Sequence, residues 1–278
     1  MSRQVGSAER GQAMREQIEL IALVEGFFTS SVIFTLHRLK VFERLEDGEQ
    51  TAEEIAEALG GDKGSLERLL NAGVMLKLLK RQGDVYELSQ IARNVLVPSA
   101  GESYIGDWIE LMEQFRDAYS RLDQAVLTGS PSMDPRDYLG GDQARTRKYV
   151  MAMHSYAATR GQDLARYLDT SRVRSLLDLG CGPGTFAFHL AACNPSMRVV
   201  LADVPGVLDV AKEVQHKYEL PNPIDYLPMD ASCDPIKGKY DMVLASNFLQ
   251  CFDESQRREL LQRIYDAIEP GGSLVVQA

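Results

Sequence analysis

Apolar residues recur at steps of three and four along residues 14–40, at Ile18, Ile21, Val24, Phe28, Val32, Leu36 and Leu39. That spacing predicts one face of a helix, preceded by a polar start expected to fray. Leu20, Leu23, Phe27 and Ile33 widen the stripe beyond the needs of a surface helix. Such a helix is expected to be covered on more than one side, within its domain or by another subunit. Thr51 with Glu54 three residues later is a capping box, and Gly60-Gly61 ends the helix it opens. A second helix is predicted from Asp62 through Leu66, Leu69, Leu70, Val74, Leu78 and Leu79. After the turn residues Gly83-Asp84, alternation over residues 85–89 predicts a short strand. Helix, turn, helix and β-wing is the order of a winged helix.

Residues 101–170 read as helical, with Trp108, Leu111, Met112, Phe115 and Tyr119 on one face and a loop of turn formers at 128–135. A further helix is predicted from Gln143 to Leu168, carrying Tyr149, Met151, Met153, His154 and Tyr156. Its aromatic and Met residues form core or line an apolar pocket, and core is the commoner outcome. His154, a lone histidine, is expected to be a hydrogen-bonded structural residue before a catalytic one.

From Leu176 the period changes to strand–helix alternation. An apolar strand runs into Gly180-Cys181-Gly182-Pro183-Gly184, and a helix follows through Phe186, Phe188, Leu190 and Ala191. Glycines there let the backbone turn sharply and let a ligand approach closely. The third glycine is one residue early for a dinucleotide fingerprint, and no Lys follows as in a phosphate-binding loop. Asp178, two residues before the loop, suits a cationic ligand instead. The next strand ends in Asp203, where a carboxylate grips ribose hydroxyls. Residues 225–230 end in Asp230, placed to accept from an adenine amine. A fourth strand covers 240–247, a helix runs from Glu254 to Ile268, and Pro270-Gly271-Gly272 turns into a fifth strand.

Composition narrows the function. The chain has 278 residues, 45% hydrophobic and 25% charged, at net charge −10. An acidic chain is a poor partner for polyanions, and acidic residues outnumber basic ones within residues 1–100 as well, so nucleic acid and anionic membranes are expected to play no part. Cys181, Cys193, Cys233 and Cys251 have no CxxC spacing, which fits reduced thiols and no metal site. No apolar run approaching 18 residues and no signal peptide is read, so a cytoplasmic protein is expected.

The ordered series DLGCGPGT, a strand-ending acid, MDA, DMVLASNFL and EPGGSLVV is similar to class I S-adenosylmethionine-dependent methyltransferases. With the apolar helix and winged helix in front, the chain resembles the small-molecule O-methyltransferases typified by caffeate, hydroxyindole and bacterial natural-product enzymes. The resemblance implies an α/β Rossmann-like sheet preceded by a helical, winged-helix dimerisation domain. It divides the chain into a dimerisation domain at 1–100, a helical connector lining the substrate pocket at 101–170, and an S-adenosylmethionine-binding domain at 171–278. It implies a homodimer whose N-terminal helices reach over the partner's active site. Asp178, Gly180 and Gly182 would shape the methionyl end of the S-adenosylmethionine site. Asp203 would bind the ribose, with Val204 beside the adenine. Asp230 and Ala231 would hold the adenine, and Ser246 and Asn247 would floor the sulfonium.

Two departures from the family stand out. Plant members place a catalytic His after strand four, inside LeuHisAspTrp; here Gln250 stands at that position, and an amide cannot take a proton at neutral pH. Either the acceptor is acidic enough for proximity to suffice, or another residue such as His154 is the base, or the acceptor is not a hydroxyl. The family's sheet order is 3-2-1-4-5-7-6, and this sequence stops at strand five, which suggests a truncated chain. The implied function is methyl transfer to a hydroxyl of a small aromatic or polyketide-like molecule. The alternative is a winged-helix regulator or ligand sensor retaining a non-catalytic methyltransferase fold.

Overall fold

The computed structural model describes residues 2–133, 139 and 142–277; in the helix that opens the chain, side chains are described from residue 12. Two compact units divide at Ala100/Gly101.

In the first unit, helix α1 (Ser2–Arg38) already includes the polar start that was expected to fray. Its C-terminal end supplies the buried Leu36 and packs on α4 (Lys63–Met75). Further toward its N-terminus Ile18, Leu20, Leu23, Val24, Phe27 and Phe28 are exposed, so the wide apolar stripe is not covered within its own unit. The stretch Gln12–Arg38 is long and apolar enough to cross a membrane by length and composition. This corrects the expectation of no such stretch; the isolated Glu25 interrupts the apolar run without lowering its average much. After the short α2 (Val41–Arg44), the capping box at Thr51 is formed. Thr51 Oγ1 accepts from the Glu54 amide at 3.2 Å, Glu54 accepts from the Thr51 amide at 2.7 Å, and α3 spans Ala52–Leu59. Asp62 caps α4 through the Ser65 amide at 2.7 Å. β1 (Gln50–Thr51), β2 (Leu79–Gln82) and β3 (Val85–Leu88) form an antiparallel sheet in the order β1-β3-β2. Leu79, assigned to the second helix by its spacing, instead opens β2, because the helix stops at Met75 and Lys77 turns the chain at φ 61°. Ser89 then caps α5 (Gln90–Val95).

In the second unit, α6 (Gly106–Tyr119) and α7 (Leu122–Thr128) precede the long α8 (Gln143–Tyr167), against which α6 packs. Part of the loop expected at 128–135 lies outside the described residues. Then β4 (Ser175–Leu179), α9 (Thr185–Cys193), β5 (Arg198–Asp203), α10 (Pro205–Gln215), β6 (Ile224–Pro228), β7 (Tyr240–Ser246), α11 (Glu254–Ala267) and β8 (Ile268–Gln277) follow. The strands form one parallel sheet, β6-β5-β4-β7-β8, the expected 3-2-1-4-5 part of the order.

Strand alternation sets the two faces. Leu176, Val199, Leu201, Met242 and Leu244 pack beneath α9 and α10 with Phe188, Leu208 and Val214. Leu177, Leu179, Val200 and Val243 face the other way, onto Leu260, Ile264 and Ala267 of α11. Asp178 shares the parity of Leu176 and is therefore carried into the α9 side of the sheet. Two asparagines tie the opposite ends of these strands. Asn194 donates to the carbonyls of Thr170 and Val173, both at 2.8 Å, and accepts from Ser196; Asn222 donates to the Asn194 and Met197 carbonyls.

Because Asn194 is buried and satisfies two carbonyls, Asn194→Ala is expected to cost about 2–4 kcal/mol in urea unfolding, well above the ~1 kcal/mol of a typical surface hydrogen bond. An unchanged midpoint would show that water replaces the amide freely.

Candidate active site

The carboxyl ends of β4, β5 and β7 meet at the glycine loop, where open parallel sheets place their ligands. Gly180, Gly182 and Gly184 all have positive φ, at 67°, 53° and 74°. A Cβ at Gly180 would overlap the Phe248 ring, and one at Gly184 would lie 2.9 Å from Leu201 and Phe188. At Gly182 a Cβ would meet nothing within 4 Å, so this glycine borders open space. The loop is tied to β5 by the Gly180 and Cys181 amides, which both donate to the Ala202 carbonyl.

Asp203 holds the same loop from its side chain. Its Oδ2 accepts from the Gly182 amide at 2.9 Å and its Oδ1 from the Val204 amide at 2.7 Å. Burial pushes its carboxyl up to about 6, while the two amides pull the other way. Asp178 is 2% exposed, and its Oδ1 has no hydrogen-bond partner. Burial, then the nearby Asp203 charge, raises its carboxyl to about 8. Burial likewise raises the Cys181 thiol far above its usual range, so this cysteine is a small loop residue and not a nucleophile.

Asp230, by contrast, is exposed. Its Oδ1 accepts from the Ser232 hydroxyl and amide at 2.6 and 2.8 Å, which keeps it below the usual carboxylate range. Ala231 beside it is buried against the α11 face. At the end of β7, Ser246 Oγ and Asn247 Nδ2 both donate to Gln277 Oε1, at 2.5 and 3.0 Å. Asn247 has φ 49°. Gln277 was not singled out in the sequence, since a lone glutamine ending a strand carries no signal. Gln250 lies exposed on the 3-10 turn Leu249–Cys251 and lines a cavity of about 180 Å³ with Leu249, Arg257, Val276 and Gln277.

His154, on α8, meets Thr185, the first residue of α9 after the glycine loop. It is 3% exposed, with Nδ1 2.8 Å from Thr185 Oγ1. Burial, then Lys217 and His189, lowers its imidazole to about 4, so it is neutral at physiological pH. On the same helix Tyr156 stacks at 4.8 Å from Trp108 and lies beneath the Arg160 guanidinium at 3.8 Å, while Tyr149 packs on the Val150–Val207 cluster.

The model of the O-methyltransferase domain matches residues 108–278, and that of the O-methyltransferase dimerisation domain matches residues 21–98. The chain belongs to the O-methyltransferase family. Among its relatives is the 3-hydroxy-5-methyl-1-naphthoate 3-O-methyltransferase of Streptomyces sahachiroi, 28% identical over 92% of this chain and 75% of that protein. The N,N-dimethyltransferase OxyT of Streptomyces rimosus is 27% identical over 92% and 76%. Acetylserotonin O-methyltransferase of Gallus gallus is 29% identical over 90% and 76%. In fold, the O-methyltransferase superimposes on human N-acetylserotonin methyltransferase in complex with SAM at a TM-score of 0.81, with 23% identity over 95% of this chain and 79% of that one. An O-methyltransferase family protein from Burkholderia thailandensis gives the same score at 22% identity, over 93% and 78%.

The methyl donor of this O-methyltransferase is S-adenosylmethionine. The loop fits it: open space at Gly182, and the buried Asp178 carboxyl with its unpartnered Oδ1 beside the charge of Asp203, suit a ligand with a hydroxylated sugar and positive charge. The protonation of Asp178 makes this testable. Its folded carboxyl is raised above the unfolded value near ~3.9, so the folded state holds the extra proton between those two values. The Asp178 contribution to the stability of the ligand-free protein is therefore expected to fall as pH rises from ~4 toward 8, opposed below ~6.5 by His154, and Asp178→Asn to flatten the fall between ~6.5 and 8. Thermal melts across pH check this, and a slope unchanged in the variant would contradict it.

Proposed function

We propose that this O-methyltransferase transfers the methyl group of S-adenosylmethionine to a hydroxyl of a small aromatic or polyketide-like molecule, as a cytoplasmic homodimer. The observation that carries the cofactor assignment is the Asp178–Asp203 pair around the loop. Asp203 turns both oxygens toward backbone amides at the loop's rim, where further lone pairs accept the ribose hydroxyls. Val204 borders the adenine, whose amine is met by Asp230 and whose ring lies along Ala231. Asp178, Gly180 and Gly182 shape the methionyl end, and Ser246 and Asn247, fixed by Gln277, form the floor near the sulfonium. When bound, the cofactor supplies a carbon already activated for in-line displacement. The protein's task is to hold the acceptor oxygen in line and let its proton go.

The acceptor class follows the relatives, whose names include naphthoate, tetracenomycin polyketide and acetylserotonin O-methyltransferases. Gln250 orients the acceptor hydroxyl and takes no proton, so the acceptor is acidic enough to react by proximity. His154 keeps the structural role its burial and Thr185 contact support. The helices over 101–170 line the acceptor pocket. Matches to an enzyme domain and its dimerisation domain give the winged-helix-regulator alternative no support.

Homodimerisation is supported by the exposed apolar face of α1, which overlaps the matched dimerisation region, and residues 50–95 supply the winged helix behind it.

Calorimetry with S-adenosylhomocysteine is expected to show micromolar binding that weakens about 10- to 150-fold in Asp203→Ala, the loss of one or two hydrogen bonds to a charged group. Full affinity in a folded Asp203→Ala would remove the ribose assignment. Separately, the pair Leu23→Glu and Phe27→Glu is expected to weaken the dimer at least about a hundredfold, since each side chain contributes about 1.5–3 kcal/mol when covered. Light scattering showing an unchanged dimer would exclude α1 as its interface.

A further inference from the structure

α11 carries two arginines that end on backbone carbonyls of two different loops. Arg263, half-buried, donates through Nη1 to the Asp234 carbonyl at 2.6 Å and through Nη2 to the Ala231 carbonyl at 2.7 Å. Arg257, nearer the start of the helix, donates through Nε to the Leu249 carbonyl at 3.1 Å and through Nη2 to the Phe252 carbonyl at 2.8 Å. A guanidinium is a rigid planar fork, so bridging two carbonyls fixes both their separation and their direction. The helix that bears them is itself fixed, because Leu260, Ile264 and Ala267 are buried against the sheet. The loop gripped by Arg263 runs from Asp230 to Asp234; the turn gripped by Arg257 holds Gln250.

We propose that Arg263 is a positioning residue for nucleobase recognition and Arg257 a positioning residue for the acceptor-side turn, so that α11 sets the two loops independently. The proposal rests on the placement of adenine at Asp230 and Ala231. A carboxylate at that place accepts from the 6-amino group of adenine and repels the carbonyl of hypoxanthine. Discrimination between the two bases needs Asp230 held in register. Arg263 supplies that through the carbonyls on either side of Ser232 and Cys233, whereas the ribose is held separately by Asp203. Loosening the loop therefore relaxes base preference more than it weakens ribose binding.

The test is calorimetry of the 278-residue protein with S-adenosylhomocysteine and S-inosylhomocysteine, for the wild type, Arg263→Gln, Arg263→Lys and Arg257→Gln. Hydrogen exchange over residues 229–235 and 248–253 and thermal melts accompany it. The wild type is expected to favour the adenosyl ligand by about tenfold or more. In Arg263→Gln the preference falls to within about threefold, with faster exchange confined to 229–235, and Arg263→Lys, with one donor reaching one carbonyl at a time, falls between. Arg257→Gln keeps the preference and speeds exchange over 248–253 alone. An unchanged preference in Arg263→Gln overturns the proposal, as does an equal loss for both ligands with a lowered melting temperature. Wild-type binding with no base preference overturns it too, by removing the recognition that Arg263 would serve. No binding of either ligand by the folded wild type would instead defeat the cofactor assignment beneath it.

Discussion

The site depends on one carboxylate bridging two strands. Asp203 ends β5, yet its oxygens are taken by amides on both sides: Val204, which follows it at the head of α10, and Gly182 in the loop that leaves β4. Without that bridge the glycine loop would keep its link to the Ala202 carbonyl but lose the hold on its tip. Burial is the main reason Asp178 is perturbed, and the charge that the bridge fixes at Asp203 adds to it.

What could be read from the sequence follows from how local each signal is. The capping box at Thr51, the glycine loop and the strand-ending acid Asp203 are short-range patterns with a mechanism, and each lies where expected, whereas β6 stops at Pro228 and leaves Asp230 in the loop beyond it. The boundary at Met75 was misread because Leu78 and Leu79 continue the helical period, although a left-handed Lys77 breaks the chain there. Arg257, Arg263 and Gln277 were invisible for a different reason. Along α11 the arginines sit among Glu and Gln and read as a solvated face, and the carbonyl partners of Arg263 lie 29 and 32 residues before it in the chain. For His154 the sequence favours a hydrogen-bonded structural ring over a base, and its burial and Thr185 contact are in keeping with that.

The N-terminal helix illustrates how composition and environment separate. Its middle is apolar enough to suit lipid, and the same property suits a protein surface. Within its own unit the covered part is confined to the C-terminal end, around Phe34 and Leu36. The match to a dimerisation domain begins at residue 21, inside the exposed stretch.

The irregular start of β8 has a chemical consequence. Tyr240 pairs with Ile268 and Met242 with Ser273, so the intervening Pro270-Gly271-Gly272 corner is bulged out of the ladder, and a Cβ on Gly272 would press on the Asp241 carbonyl. Downstream of that corner the register brings Gln277 opposite Ser246. Because the ladder advances one residue at a time, adding one residue in the corner would present Val276 opposite Ser246 in place of the amide. The length of a corner far along the strand therefore decides whether the end of β7 meets a hydrogen-bonding group or an apolar one. Chain length there acts as part of the site's chemistry, although no atom of the corner touches it.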